Sequence, residues 1–181
     1  MPFRKTVPIF REVIMLLYAF LIMFGVVAVD QATKWIVMLN MELHDSIPLI
    51  EDVFHFTYIR NSGATFGSFD QTRWVFMIIS PIMIAGIVFY LIKYRPKQKL
   101  MWITLSMIAG GGIGNMIDRL FYGDGFGNGT VVDFLDFCAF PNLWSWIFNV
   151  ADVFVCVGTG LLFVYLVCDI IKDGKKKKES Q

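Results

Sequence analysis

Uncharged apolar runs alternate with short charged stretches along this chain. Val13 to Val29 carries no charge between Glu12 and Asp30, and Trp74 to Ile92 none between Arg73 and Lys93. Leu100 to Ile117 is uncharged up to Asp118, and a last apolar run from about Ile147 to Cys168 ends at Asp169. Each is 17 to 22 residues long, and about 20 helical residues cross a hydrocarbon layer of roughly 30 Å. The pattern predicts four membrane-spanning helices. Pro81 and the glycines at 110–112 and 114 do not argue against this, because spanning helices tolerate both residue types. The glycine cluster predicts either a close approach of helices or a local break.

The connecting segments carry different signals. His55-Phe-Thr-Tyr-Ile-Arg60 is rich in β-branched and aromatic residues and predicts a short strand, leading into a turn-forming stretch at Asn61–Gly67. Together they predict a small sheet on the membrane surface. Tyr122–Thr130 is glycine-rich and reads as a flexible loop. The aromatic group Phe137, Phe140, Trp144, Trp146 and Phe148 reads as interfacial anchoring.

Composition supports the membrane assignment. Of 181 residues, 56% are hydrophobic and 17% charged, with mean hydropathy +0.61; a soluble domain has about 45–50% apolar and about 25% charged residues. The net charge of +1 is uninformative, but its distribution is not. Arg4, Lys5 and Arg11 precede the first run; Lys93, Arg95, Lys97 and Lys99 join the second and third; Lys172 and Lys175–Lys178 follow the fourth. These are twelve of the sixteen basic residues, leaving Lys34, Arg60, Arg73 and Arg119 on the other side. By the positive-inside rule both termini are expected in the cytoplasm, with external segments at about 30–73 and 118–146. The expected organisation is one domain over residues 1–171 followed by a basic cytoplasmic tail, 172–181. The first apolar run is long for a signal-peptide core and lacks an A-x-A site before Asp30, so it reads as a span. Cys138, Cys156 and Cys168 show no metal or redox spacing, and neither a zinc motif nor a nucleotide-binding loop is present. No metal, cofactor or nucleic-acid partner is expected.

Asp152 stands out. It is the only charge between Phe137 and Cys168, and a carboxylate in a spanning helix costs roughly 2.5–3.5 kcal/mol on insertion scales, which marks it as a functional candidate. It lies 17 residues before Asp169, or about 25 Å along a helix, which places it just within the outer leaflet. Asp133 lies upstream in the apolar stretch Val131-Val132-Asp133-Phe134. Two carboxyl groups sharing one site cannot both ionise cheaply, so such a pair holds one proton. One acid then serves as general base toward water and the other, protonated, polarises a carbonyl. The plainer alternatives are that Asp133 is a loop acid near Asp136 and that Asp152 pairs with Asn149 or Arg119 inside the protein. A short echo, Asn115-Met-Ile-Asp118 and Asn149-Val-Ala-Asp152, puts each Asn and Asp on one helix face at similar depth. Asp118 and Arg119 read as a structural ion pair, and Asp30 and Lys34 as an i to i+4 pair at a helix end. His44 and His55 are the only histidines and offer no plain partner to Ser62 or Ser106.

The blocks Asp30-Gln-Ala-Thr-Lys34, Asn61-Ser-Gly63-Ala, Gly114-Asn115-Met-Ile-Asp118-Arg119, Val132-Asp133-Phe134 and Phe148-Asn149-Val-Ala151-Asp152 together resemble the lipoprotein signal peptidase (signal peptidase II) family. The resemblance covers roughly residues 13–170. It implies an α-helical integral membrane protein of the bacterial inner membrane, with four transmembrane helices, a small extracytoplasmic β-cradle and a short amphipathic element. It implies an aspartic endopeptidase that cuts prolipoproteins just before the diacylglyceryl-modified cysteine. Asp133 and Asp152 then take the catalytic positions. Asn115, Asp118, Arg119 and Asn149 match site-shaping positions, and Asp30 and Asn61 lie near the substrate, with Lys34, Gly63 and Ala151 in the same blocks. The implied partners are lipidated prolipoproteins and membrane lipid, with the chain acting as a monomer. The chain departs from the family pattern in its longer Tyr122–Thr130 link and in Val153, where the family often has Ser. The competing classes are a proton-coupled transporter, which needs an acid reachable from both sides, and a non-catalytic scaffold, which needs neither aspartate.

Overall fold

The structure, a computed structural model, describes residues 6–63, 71–140 and 146–179. The element order is α1 (Thr6–Asn40), β1 (Ser46–Ile50), β2 (Phe54–Asn61), α2 (Gln71–Tyr94), α3 (Lys99–Phe121), β3 (Val131–Phe137), β4 (Ile147–Phe148) and α4 (Val150–Glu179). Four helices among the described residues are long and apolar enough to cross a membrane. The four strands form one antiparallel sheet in the order β1-β2-β3-β4. The anticipated strand at His55–Arg60 is the middle of β2. The rest of the turn-forming stretch beyond Gly63, and Trp144, lie outside the described residues.

The first helix is longer than its apolar run. It was expected to close at Asp30 but continues to Asn40, because the charges of Asp30 and Lys34 cancel inside it (Nζ to Oδ2, 2.9 Å). A paired charge does not end a span as a free one would. The buried face of α1 runs through Ala19, Met23, Val26, Asp30, Lys34 and Val37, the three-to-four spacing of one helix stripe. Its opposite face is exposed and apolar, with Phe24 73% exposed, as lipid contact requires. At the other end of the chain, the backbone of α4 remains helical through the basic run to Glu179.

The third helix is the centre of the bundle and packs on α1, α2 and α4. It is continuous through its glycines, so the cluster serves close approach and does not break the helix. A Cβ on Gly110 would sit 2.9 Å from Val26 Cβ, and one on Gly111 would sit 2.5 Å from the Ala151 carbonyl oxygen. Small residues let helices approach where lipid supplies no hydrophobic drive. The Tyr122–Thr130 link, expected to be flexible, folds back on the end of α3. Gly129 N donates to Arg119 O at 2.9 Å and Gly127 N to Leu120 O at 3.0 Å. Gly129 lies so close to α3 that a Cβ would fall 2.1 Å from Asp118 O. The sheet packs its apolar side chains, Tyr58, Val132 and Phe134, against Val37 of α1.

Candidate active site

The C-terminal parts of α1 and α3 and the start of α4 meet the sheet at one polar cluster. Its base is a buried charge group. Lys34 Nζ lies 2.9 Å from Asp30 Oδ2 and 2.8 Å from Asp118 Oδ2, and all three side chains are fully buried. Asp118 therefore pairs with Lys34. The expected Asp118–Arg119 pair does not form, since successive helix residues point about 100° apart. Arg119 instead donates to Asn115 O at 3.1 Å and lies over the Phe76 ring. Taking charges out of water costs several kcal/mol per ion, and a buried group persists only when its remaining hydrogen-bond sites are filled. Here they are filled by groups that fix the two candidate acids. Asp118 Oδ2 accepts the Val132 N–H at 3.1 Å, one residue before Asp133. Asp30 Oδ1 accepts the Ala151 N–H at 3.0 Å, one residue before Asp152. Gln31 Nε2 bridges Asp30 and Asp118 at 3.1 and 2.9 Å. The Tyr122 hydroxyl donates to Gln31 Oε1 at 2.8 Å.

Above this base stand the asparagines. Asn149 is the N-cap of α4. Its Oδ1 accepts the Asp152 N–H at 3.1 Å, while Asp152 Oδ2 accepts the Asn149 N–H at 3.2 Å. This is the reciprocal capping box of a helix start, with Asp in the usual Glu position. The second N-x-x-D is thus a helix start before it is anything else. Its first copy is not, because Asn115 and Asp118 lie inside α3. Asn149 Nδ2 also donates to Asp133 Oδ1 at 2.6 Å and to Asn115 Oδ1 at 3.0 Å. Asn115 Nδ2 donates to Asp152 Oδ1 at 2.7 Å, and its Oδ1 accepts from Lys34 at 2.9 Å. Both aspartates are therefore bonded to the same residue, Asn149.

Asp133 sits on β3 opposite Ile59 of β2 and is 2% exposed. Its Oδ2 accepts from Asn61 Nδ2 at 2.8 Å. Asn61 Oδ1 in turn accepts the Gly63 N–H at 2.7 Å, a turn that Gly63 allows by its positive φ of 94°. Burial and the charge of Asp152 push the Asp133 carboxyl up to about 7, against the opposing hydrogen bonds of Asn61 and Asn149 and the Lys34 charge. Desolvation outweighs those hydrogen bonds, as it does for a carboxyl cut off from water.

Asp152 faces a cavity of about 430 Å³, with Asn115, Arg119, Asn61 and Gly63 at its polar end and the apolar faces of α2, α3 and α4, including Ile79 and Met83, along it. A groove of this kind suits a ligand with one polar centre and an apolar body. Val153 is 39% exposed and is not among the residues that line this cavity.

All eleven residues singled out from the sequence meet here: Asp133 and Asp152 with Asp30, Lys34, Asn61, Gly63, Asn115, Asp118, Arg119, Asn149 and Ala151. Ala151 contributes its backbone N–H and its lack of bulk; its side chain is fully buried. Gln31 and Tyr122 were missed. Gln31 stands inside the Asp30–Lys34 block, which is the one signal that pointed to it; Tyr122 carried none.

Four helices fit to cross a membrane, roofed by a sheet and closing on a cluster of aspartates at one end, define a polytopic membrane protein. The chain belongs to the Signal peptidase (SPase) II family, whose pattern matches residues 22–168, and it is therefore a protease of a multi-pass bacterial membrane type. It is 43% identical over 164 residues to the lipoprotein signal peptidase of Bacillus pumilus (strain SAFR-032), covering 91% of this chain and 99% of that one. It is 43% identical over 154 residues to the lipoprotein signal peptidase of Bacillus subtilis (strain 168), covering 85% and 94%. Among solved structures, a bacterial membrane enzyme determined by the in meso method at 2.3 Å resolution superposes with TM-score 0.73 at 33% identity, over 84% of this chain and 89% of that one.

Proposed function

We propose that the chain removes signal peptides from prolipoproteins by aspartic-type hydrolysis, with Asp133 and Asp152 as the catalytic pair and cleavage just before the diacylglyceryl-modified cysteine. The observation that carries this reading is the shared anchoring of both carboxyl groups on Asn149, with Asp133 held up to about 7. Below about pH 7 Asp133 carries a proton, and Asp152 stands at the first turn of α4, where a helix favours an acid. Asp152 takes a proton from water as the oxygen attacks the scissile carbonyl carbon, and Asp133 gives its proton to the carbonyl oxygen. The tetrahedral intermediate then collapses: Asp152 passes its proton to the leaving amine and Asp133 recovers one from the intermediate. Neither metal nor covalent intermediate enters these steps.

The cavity supports the substrate assignment. Its apolar wall along α2 suits an acyl chain and a signal helix, and Asn61, Arg119 and Asn115 suit the peptide backbone beside them. The distribution of basic residues supports cytoplasmic termini and an active site toward the external face, with a single chain holding every site residue. A transmembrane proton relay is less well supported. The buried acids among the described residues, Asp30, Asp118 and Asp133, all belong to this one end.

The pH dependence tests the assignment. kcat/KM for a lipidated precursor is expected to fall as pH rises above about 7 while Asp133 loses its proton. Asn61→Ala removes a bond that favours the ionised form and is expected to move that limb to higher pH. A limb that stays in place or moves down would remove Asp133 as the proton holder.

A further inference from the structure

Away from the acid pair, the β1–β2–β3 part of the sheet holds a second group of chemically capable side chains. His55 of β2 lies directly opposite Asp136 of β3, and Cys138 follows two residues later, on the same side of an extended chain. Cys138 is a free thiol, fixed to β2's approach by its N–H to Val53 O at 2.9 Å. One ligating atom from each of His55, Asp136 and Cys138 lies within 4.8 Å of the other two.

We propose that His55, Asp136 and Cys138 form a zinc-binding site. An imidazole nitrogen, a carboxylate oxygen and a thiolate sulfur are the three donor types zinc takes, and a mixed set that includes sulfur disfavours the hard ions calcium and magnesium. Bond lengths of about 2.0–2.3 Å put ligands of a tetrahedral site roughly 3.5 Å apart, so the three atoms need to draw in by about 1 Å, within reach of side-chain rotation. The fourth position is left to water.

Two observations distinguish this group from an ordinary polar sheet surface. First, the supports of a metal site are in place. The Thr57 hydroxyl donates to Asp136 Oδ2 at 2.8 Å, the Ser46 and Thr57 hydroxyls share a hydrogen at 2.8 Å, and Ser46 Oγ lies 3.4 Å from His55 Nδ1. Such partners orient ligands and fix the histidine tautomer. Second, His55 Nε2 is buried without a hydrogen-bond partner among the described residues, an arrangement that folded proteins rarely leave unanswered. The hydrogen-bonded network alone leaves this nitrogen unexplained. A metal held by the cluster would fix the imidazole and clamp β2 to β3, three residues from Asp133. The site is independent of the catalytic reading.

The test uses the full chain, purified untagged in detergent under a non-thiol reductant, with Co2+ as a spectroscopic stand-in for Zn2+. One equivalent of Co2+ is expected to give thiolate-to-cobalt charge-transfer absorption and the intense visible bands of a tetrahedral ion, both bleached by Zn2+. Cys138→Ser is expected to lose the charge-transfer band, and His55→Ala to weaken binding at least ~10-fold. The Cys156→Ser, Cys168→Ser double variant keeps the full spectrum. Both site variants still cleave a lipidated precursor, which shows that they fold. Wild-type protein without the band, or with a spectrum equal to that of Cys138→Ser, overturns the proposal.

Discussion

Asp133→Asn should stabilise the protein, and only above mildly acidic pH. Asp133 is 2% exposed, and its carboxyl rises from 3.8 to about 7 on folding. The folded protein thus holds a proton that the unfolded chain has already lost between those values. Stability falls as pH rises through that window, and the penalty is complete above about 7. Roughly three pH units at ~1.4 kcal/mol each give a penalty of up to about 4 kcal/mol, including repulsion from Asp152. Asparagine carries no charge and escapes it. Its own cost, an amide group facing the Asn61 and Asn149 donors, is the same at every pH. For a chain of this length about 4 kcal/mol corresponds to ~10 °C in Tm. Thermal unfolding in detergent from pH 4 to 9 should therefore show the difference in Tm between variant and wild type growing until about pH 7 and then levelling. A constant difference would mean that Asp133 titrates normally and would refute the reasoning.

Two further substitutions examine the scaffold. Lys34→Met leaves Asp30 and Asp118 fully buried without their cation and is expected to cost about 3–5 kcal/mol, read by thermal unfolding; adding Asp118→Asn should recover part of it. Gly111→Ala drives a Cβ to 2.5 Å from Ala151 O, prising α4 from α3 beside Asp152. It should cost about 1–3 kcal/mol and slow cleavage, whereas Gly86→Ala, with nothing within 4 Å, should do neither.

The four spans were legible because apolar length is a direct consequence of bilayer thickness, and β2 because its residues are strand formers. The end of α1 was not. The pairing of Asp30 with Lys34 was legible at i to i+4, but Asp30 read as a terminus because the full burial of both charges and the Ala151 N–H from a distant helix were not. The acid pair was visible as two unusual charges in apolar sequence, yet its physical support was hidden. Nothing in the order of residues shows that Lys34 ties Val132 and Ala151 in place through Asp118 and Asp30, or that the N-x-x-D at 149–152 is a capping box. The His55, Asp136 and Cys138 grouping was invisible for the same reason. Spacing along the chain does not reveal a cross-strand register, and cysteine spacing alone pointed away from a metal.

The central claim is that residues 133 and 152 act together on one peptide bond. The most direct measurement is cleavage of a purified diacylglyceryl-modified precursor by Asp133→Asn and Asp152→Asn, each reconstituted and checked for folding by its melting curve. The account predicts a loss of at least ~10³-fold in each, with the double variant no worse than either single one. Processing by either variant near the wild-type rate would contradict it.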